Sequence, residues 1–220
     1  MSFSSEWEHA FGRGTHDSRW PWSDLVSMTR RYARELGAQS RILEIGCGVG
    51  ANIAFLLSSG AQYFAVDGSE TAARTVRERF PQLADQIRAG DFTAEIPFAG
   101  EFDLIVDRAA MTHNDEQSIR RSLAHLATRL KPGGLYIGID WFSTAHGGFR
   151  SGMPATDPWT RQGFESGPFA GVGRVHFSDE AHLRDLFAGW KWLALEEKVV
   201  KVALPQPSVL ASWNFVLTRP

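Results

Sequence analysis

The sequence predicts an α/β fold on a doubly wound, mostly parallel sheet, closed at its C-terminal edge by an antiparallel strand pair. Three observations predict it. Short apolar runs with continuous rather than alternating interiors, as in strands covered on both faces, recur between longer amphipathic segments. A glycine-rich turn follows the first of these runs, and two β-rich runs flank Pro205-Gln206-Pro207 near the C-terminus.

Taken in order, residues 22–36 read as an amphipathic helix preceded by the aromatic knot "RWPW". Strands are expected at 41–45, 63–67, 87–89, 103–107 and 135–140. Helix 52–58 starts directly after the glycines, and helix 69–79 takes Ser69 as its N-cap and ends before Pro81. Helix 115–130 places Ile119, Leu123, Leu126 and Leu130 at helical spacing and stops at Lys131-Pro132-Gly133-Gly134. Residues 141–175 hold many glycines and prolines interleaved with aromatics, which predicts a long structureless connection serving as a lid. Ser178-Asp179-Glu180 caps a helix through Phe187, and strands 192–202 and 209–218 complete the sheet. The expectation is one domain over 1–220, with a helical cap at 1–36 and a substrate-covering insertion at 141–175.

Composition narrows the function classes. With 43% hydrophobic residues and a formal net charge of -2, the chain carries no excess of basic charge that would suit a nucleic acid or a membrane surface. Cys47 is its only cysteine, so no intramolecular disulfide can form. No run approaches the length of a membrane span, and "MSFSSEWEHAFGRG" lacks a basic flank followed by an apolar stretch, so the expected location is cytoplasmic. Aromatic content is weighted to Trp (8) and Phe (15) over Tyr (3), with many outside the expected core, which points to an aromatic ligand wall.

"ILEIGCGVGAN" (42–52) is a strand, a turn and a helix start. Gly46, Gly48 and Gly50 let the chain turn sharply and bring backbone N–H groups to a ligand at a helix N-terminus. Alone, this pattern also satisfies the relaxed dinucleotide fingerprint, with Ala51 in place of the third glycine. Two acids add information. Asp67, followed by Gly68, ends the second strand where a carboxylate accepts ribose hydroxyls. Glu44 stands two residues before Gly46, where a ligand ammonium group would want a carboxylate.

In order over roughly residues 41–140, "LEIGCGVGAN", "VDGSE" (66–70), "GDF" (90–92), "FDLIVD" (102–107) and "LKPGGLYIGID" (130–140) resemble the motifs of class I S-adenosylmethionine-dependent methyltransferases. The resemblance implies their Rossmann-like sheet and S-adenosylmethionine as cofactor. It implies that Glu44, Gly46, Cys47, Gly48, Gly50 and Asn52 hold the methionine end. Asp67 and Gly68 would hold the ribose, and Asp91 and Phe92 the adenine, with Asp107 at the rim beside them. Cys47 is read as a small packed residue there, not a nucleophile.

The acceptor side starts at "IVDRAAMTHND" (105–115), where a strand runs out at the ligand rim. His113 is the candidate general base, because an imidazole titrates near neutrality. The same residues also suit a helix cap, with Thr112 or Asn114 at the N-cap. "IVDRAAMTHN" is similar to the corresponding segment of thiopurine methyltransferases, where Asp-Arg-Gly-Ala follows the fourth strand and Ala109 here replaces the Gly. That implies Asp107 and Arg108 face the acceptor, and an arginine suits one that is anionic or develops negative charge. A structural ion pair is the other reading of these two residues. Trp20, Trp22, Trp141, His146, Arg150 and His176 are expected to contribute to the acceptor pocket, with Trp7 and Phe11 covering it. His9, His16, His125 and His182 are read as structural or solvated.

No metal site is expected. Trp141 stands where a metal-dependent relative would place an amide ligand, and neither HExxH nor a Cys/His cluster is present. The function expected is methyl transfer to an oxygen or sulfur, ahead of nitrogen, of a small molecule. The alternatives are an NAD(P)-dependent oxidoreductase and a non-catalytic S-adenosylmethionine-binding protein. The partners expected are a small-molecule acceptor, with no nucleic acid and no membrane; the sequence says nothing of oligomeric state.

Overall fold

From the N-terminus, helices α1 (Ser5–Gly12) and α2 (Ser23–Tyr32) precede β1 (Arg41–Ile45). Then come α3 (Ile53–Leu57), β2 (Gln62–Asp67), α4 (Glu70–Arg79), β3 (Ile87–Ala89) and β4 (Phe102–Arg108). The chain continues through α5 (Glu116–Arg129), β5 (Leu130–Phe142), α6 (Gly147–Ser151), β6 (Met153–Pro154), β7 (Thr160–Gln162) and β8 (Val175–His176). Helix α7 (Glu180–Leu186) and the hairpin β9 (Lys191–Val202) and β10 (Ser208–Thr218) end it. This computed structural model describes residues 5–219; the first four residues of the expected cap and Pro220 lie outside them.

The main sheet has the order β3-β2-β1-β4-β5-β10-β9, parallel through β5 and antiparallel at β10 and β9. Both faces are apolar because both are covered. Leu43, Ile45 and Ile105 pack under α5 and α7 through Leu123, Leu126, Leu183 and Phe187. Ile42, Tyr63, Val106 and Ile139 pack under α2, α3 and α4 through Leu25, Met28, Ile53 and Val76. The order in which strands are added reverses between β1 and β4, and the loops leaving these parallel strands diverge to open a crevice at their carboxyl ends.

Helix starts follow local polar chemistry. Ser69 caps α4, its Oγ accepting from Ala72 N at 3.0 Å. At α5 the expected caps give way to Asp115, whose carboxylate accepts from Ser118 N at 2.8 Å. Thr112 and Asn114 are engaged one turn earlier, donating to the carbonyls of Ala109, Ala110 and Met111 to close a 3-10 turn at Met111–His113.

The expectation of a structureless 141–175 is corrected. β5 runs on to Phe142, α6 follows, and β6, β7 and β8 form a small antiparallel sheet of their own. Phe169, Val172, Val175 and Phe177 make a separate apolar cluster packed against Phe142, Phe149, Phe164 and Trp7 of α1. Five phenylalanines gather here with Trp7, which gives a glycine-rich segment enough buried surface to order.

Candidate active site

A cavity of about 510 Å3 occupies the crevice over β1 and β4. Its floor is the turn after β1. Gly46 has φ +65°, and a Cβ there would overlap the Ala110 side chain from the turn after β4. Only glycine meets both demands. Gly48, Cys47 and Asn52 also line the cavity, whereas Gly50 (φ +84°) shapes the turn from beneath and does not. Burial and the neighbouring carboxylates push the Cys47 thiol well up, so it stays protonated.

Glu44 is 1% exposed and reaches this floor. Its carboxylate accepts from Asn52 Nδ2 at 2.8 Å and Tyr63 OH at 2.5 Å. Burial nevertheless raises its pKa to about 7, with Asp67 and Asp107 adding repulsion to the two compensating hydrogen bonds. Among the described residues no cation balances its charge, which is the environment an ammonium group would complete. Asn52 also accepts from Trp22 N at 3.2 Å, tying the N-terminal segment to this acid.

Asp67 ends β2 and accepts from Gly48 N and Ser69 N, each at 2.8 Å. Burial raises it to about 6 against the pull of those two amides. Gly68, Asp91 and Phe92 continue the wall, with Asp91 accepting from Thr93 N and Thr93 Oγ1 at 3.0 and 2.6 Å. Helix α1 closes the roof with Trp7 and Phe11. It is fastened by Glu8, whose carboxylate accepts from Ser69 Oγ and Thr71 Oγ1 at the start of α4. Those hydroxyls hold the Glu8 carboxyl below the usual range. The Trp7 indole Nε1 is buried without a hydrogen-bond partner.

The other half of the cavity departs from expectation at several residues. Asp107 is fully buried, does not line the cavity, and accepts from Ala110 N, Met111 N, Tyr136 OH and Trp141 Nε1 at 2.9, 3.2, 2.9 and 2.6 Å. It braces the turn that presents Ala110 to Gly46, and burial raises it to about 6 despite four donors. It is therefore neither an acceptor-facing nor a cofactor-facing acid. Arg108 does reach the cavity, but Asp140 neutralises it at 2.8 Å and Trp22 covers its guanidinium face at 3.6 Å. The expectation of a free cation for an anionic acceptor is corrected accordingly. Ala109 (φ +54°), just past the end of β4, and Asp140 (φ +55°), in the adjacent β5, both take the left-handed backbone that glycine prefers.

His113 lines the cavity between the edges of Trp7 and Phe142, at ring centroid distances of 4.7 and 5.9 Å. Burial pushes its pKa to about 4, and Arg108 and His16 further disfavour the imidazolium. Five expected acceptor residues lie elsewhere. Trp20 is 83% exposed and outside the cavity, unlike Trp22 two residues on. Trp141 points into the core against Phe187 and Phe215, since successive strand residues face opposite sides. His146 caps α6 through Nδ1, accepting from Gly148 N at 2.9 Å. His176 is buried against His182 and Thr160, each at 3.0 Å. Arg150 sits exposed on α6, away from the cavity. His16, read as structural or solvated, lines the mouth together with Thr15 and Ser18. Glu116, His182 and Asp185 also approach one another, but Arg120 already pairs with both carboxylates.

A family profile described as a methyltransferase domain matches residues 42–134, the segment that carries Glu44, Asp67, Asp91 and the turn after β4. Residues 42–134 thus carry a methyltransferase domain, and the chain has the fold of S-adenosylmethionine-dependent methyltransferases. A crystal structure of an S-adenosylmethionine-dependent methyltransferase from Methanosarcina mazei shares its fold, with a TM-score of 0.68 at 18% identity, over 91% of this chain and 98% of that one. Among curated proteins, a protein-L-isoaspartate O-methyltransferase of Methylorubrum populi is 37% identical over 86 residues, covering 38% of this chain and 40% of its own length. An mRNA cap guanine-N(7) methyltransferase of Caenorhabditis elegans is 23% identical over 207 residues, covering 83% of this chain and 51% of its own. The match thus spans about half the length of these curated relatives or less. S-adenosylmethionine is the cofactor, and the cavity suits it: a buried acid without a cation partner among the described residues lies on the floor, and a second acid stands beside a backbone turn.

Proposed function

We propose that this chain transfers the methyl group of S-adenosylmethionine to an uncharged oxygen or sulfur of a small acceptor. The observation that carries the reading is a single cavity with a buried acid at the cofactor floor and a charge-compensated aromatic wall opposite. The donor supplies an electrophilic methyl on a sulfonium. Glu44, with the Gly46, Cys47 and Gly48 backbone, holds the methionine end, and Asn52 braces Glu44. Asp67 and Gly68 hold the ribose, and Asp91 and Phe92 the adenine.

The remaining wall aligns the acceptor and excludes water, the two tasks a methyl displacement asks of a protein. Trp7, Phe11, Trp22 and the neutral ring of His113 form it. Arg108 is the sole Lys or Arg among the described lining residues, and its charge is answered by Asp140. A carboxylate or a phosphate-rich RNA end would find no free cation there. Residues 1–220 act as one domain in this reading, in the cytoplasm and without a nucleic-acid partner, and the segment 141–175 backs the acceptor wall through its contact with Trp7.

Calorimetric titration with S-adenosylmethionine and with NADH tests the reading. Binding of S-adenosylmethionine alone is the expected result. Binding of NADH alone would overturn it in favour of a reductase.

A further inference from the structure

We propose that His16, at the cavity mouth, removes the acceptor's proton, and that Thr15 holds its imidazole in the tautomer that can do so. This rests on the methyltransferase reading above and assigns the base to the N-terminal segment rather than to the turn after β4.

Proton accounting carries the inference. Thr15 has one hydroxyl hydrogen, which Oγ1 donates to the Ala10 carbonyl at 3.0 Å. The same Oγ1 lies 3.1 Å from His16 Nδ1, so towards the ring it can only accept. The ring proton therefore sits on Nδ1, and Nε2 at the far edge carries a lone pair. The ring lines the cavity against the edges of Trp7 and Phe11, at centroid distances of 5.0 and 6.4 Å.

Charged groups around it are balanced. Asp17 is paired with Arg19 at 3.0 Å, Arg108 with Asp140, and His113 is neutral. His16 is exposed, so its imidazolium can lose a proton to water, whereas His113 is half-buried. Burial lowers both imidazoles, but it carries His113 down to about 4, far from the neutral range where a general base works best.

The step balances as follows. An un-ionised hydroxyl or thiol gives its hydrogen to His16 Nε2 as its lone pair forms the bond to the methyl carbon. The broken carbon–sulfur pair stays on the donor sulfur, and the imidazolium then loses its proton to solvent.

Two acceptors of different acidity separate a base from a structural residue: 4-methoxyphenol, un-ionised at neutral pH, and 4-nitrothiophenol, which enters already ionised. His16→Gln is expected to lower kcat for the phenol by about a hundredfold, the range of a lost general base, and for the thiolate by no more than about threefold. Nitrogen-15 NMR of the imidazoles gives a readout without turnover: His16 in the Nδ1–H tautomer, displaced towards Nε2–H by Thr15→Val. Equal losses for both acceptors, a phenol-specific loss in His113→Gln instead, or an Nε2–H tautomer in the wild type would each overturn the proposal. A wild type that methylates neither acceptor also overturns it. S-adenosylmethionine binding by calorimetry then tells whether only the acceptor chemistry fails or the methyltransferase reading with it.

Discussion

Glu44 predicts an unusual pH dependence for cofactor affinity. Its carboxyl is raised from 4.5 to about 7 by burial, so in the cofactor-free protein near neutrality about half of the molecules carry it protonated. An ammonium group binds the ionised form. The dissociation constant therefore scales with one plus the ratio of protonated to ionised Glu44. That factor is about 11 at about pH 6 and about 1.1 at about pH 8, a tenfold change worth about 1.4 kcal/mol. The rise ends where the ligand's own α-ammonium begins to titrate, at about pH 8. Asp67, raised to about 6, steepens the acid side in the same direction.

The sign for folding is opposite. A carboxyl whose folded value is raised favours the cofactor-free fold below its unfolded value, and that contribution is lost as pH rises through about 7. Added cofactor should thus raise Tm more at pH 8 than at pH 6. Isothermal calorimetry across that range, in buffers of different ionisation enthalpy, should record proton release on binding that shrinks above pH 7. Glu44→Gln keeps the shape, since its amide can donate to Tyr63 and accept from Asn52. It should bind cofactor weakly and with little pH dependence between 6 and 8. Wild-type affinity flat over that range, or a glutamine variant that binds equally well, would refute the assignment of Glu44 to the ammonium.

Other substitutions separate the roles of neighbouring residues. Asp67→Ala should weaken S-adenosylmethionine binding by at least about tenfold, the scale of a lost charged hydrogen bond, while His113→Ala leaves it nearly intact; calorimetry on both decides. Asp107→Ala should lower stability by about 3 to 5 kcal/mol in urea unfolding, because Tyr136, Trp141 and two backbone amides lose a buried acceptor. Gly46→Ala, strained at positive φ and forced against Ala110, should cost about 2 to 4 kcal/mol and abolish cofactor binding, measured by thermal melts with and without cofactor. Asp140→Asn tolerates the left-handed backbone and leaves Arg108 uncompensated, so a screen with labelled cofactor should show acceptance shifting towards anionic compounds.

Much of the parallel sheet was legible in the chain because continuous apolar runs, a serine cap and glycine turns act within a few residues of one another. β1 and β3 match their expected limits, and β2 and β4 differ by a residue or so at their ends. The order of Glu44, Gly46, Asp67 and Asp91 along the chain already implied one cavity lined by all four, because strand ends in a doubly wound sheet share one rim. Residues 141–175 were harder. Glycine and proline content announces loops, but Phe169, Val175 and Phe177 order this segment only by meeting Phe142 and Trp7 from elsewhere in the chain.

What the sequence determined by itself is the sheet, the glycine turn and the acids that share one rim, all set by local spacing and strand polarity. The tertiary structure alone decided which side chains line the rest of the cavity. Asp107 looked like a rim acid until Tyr136 and Trp141 drew it into the core, and Arg108 looked like an open cation until Asp140 and Trp22 closed around it. His16 lines the cavity because α1 folds over the crevice, where Glu8 latches it to Ser69 at the start of α4, 61 residues further along the chain. Charge compensation and side-chain direction depend on partners distant in sequence, and those partners exist only once the chain has packed.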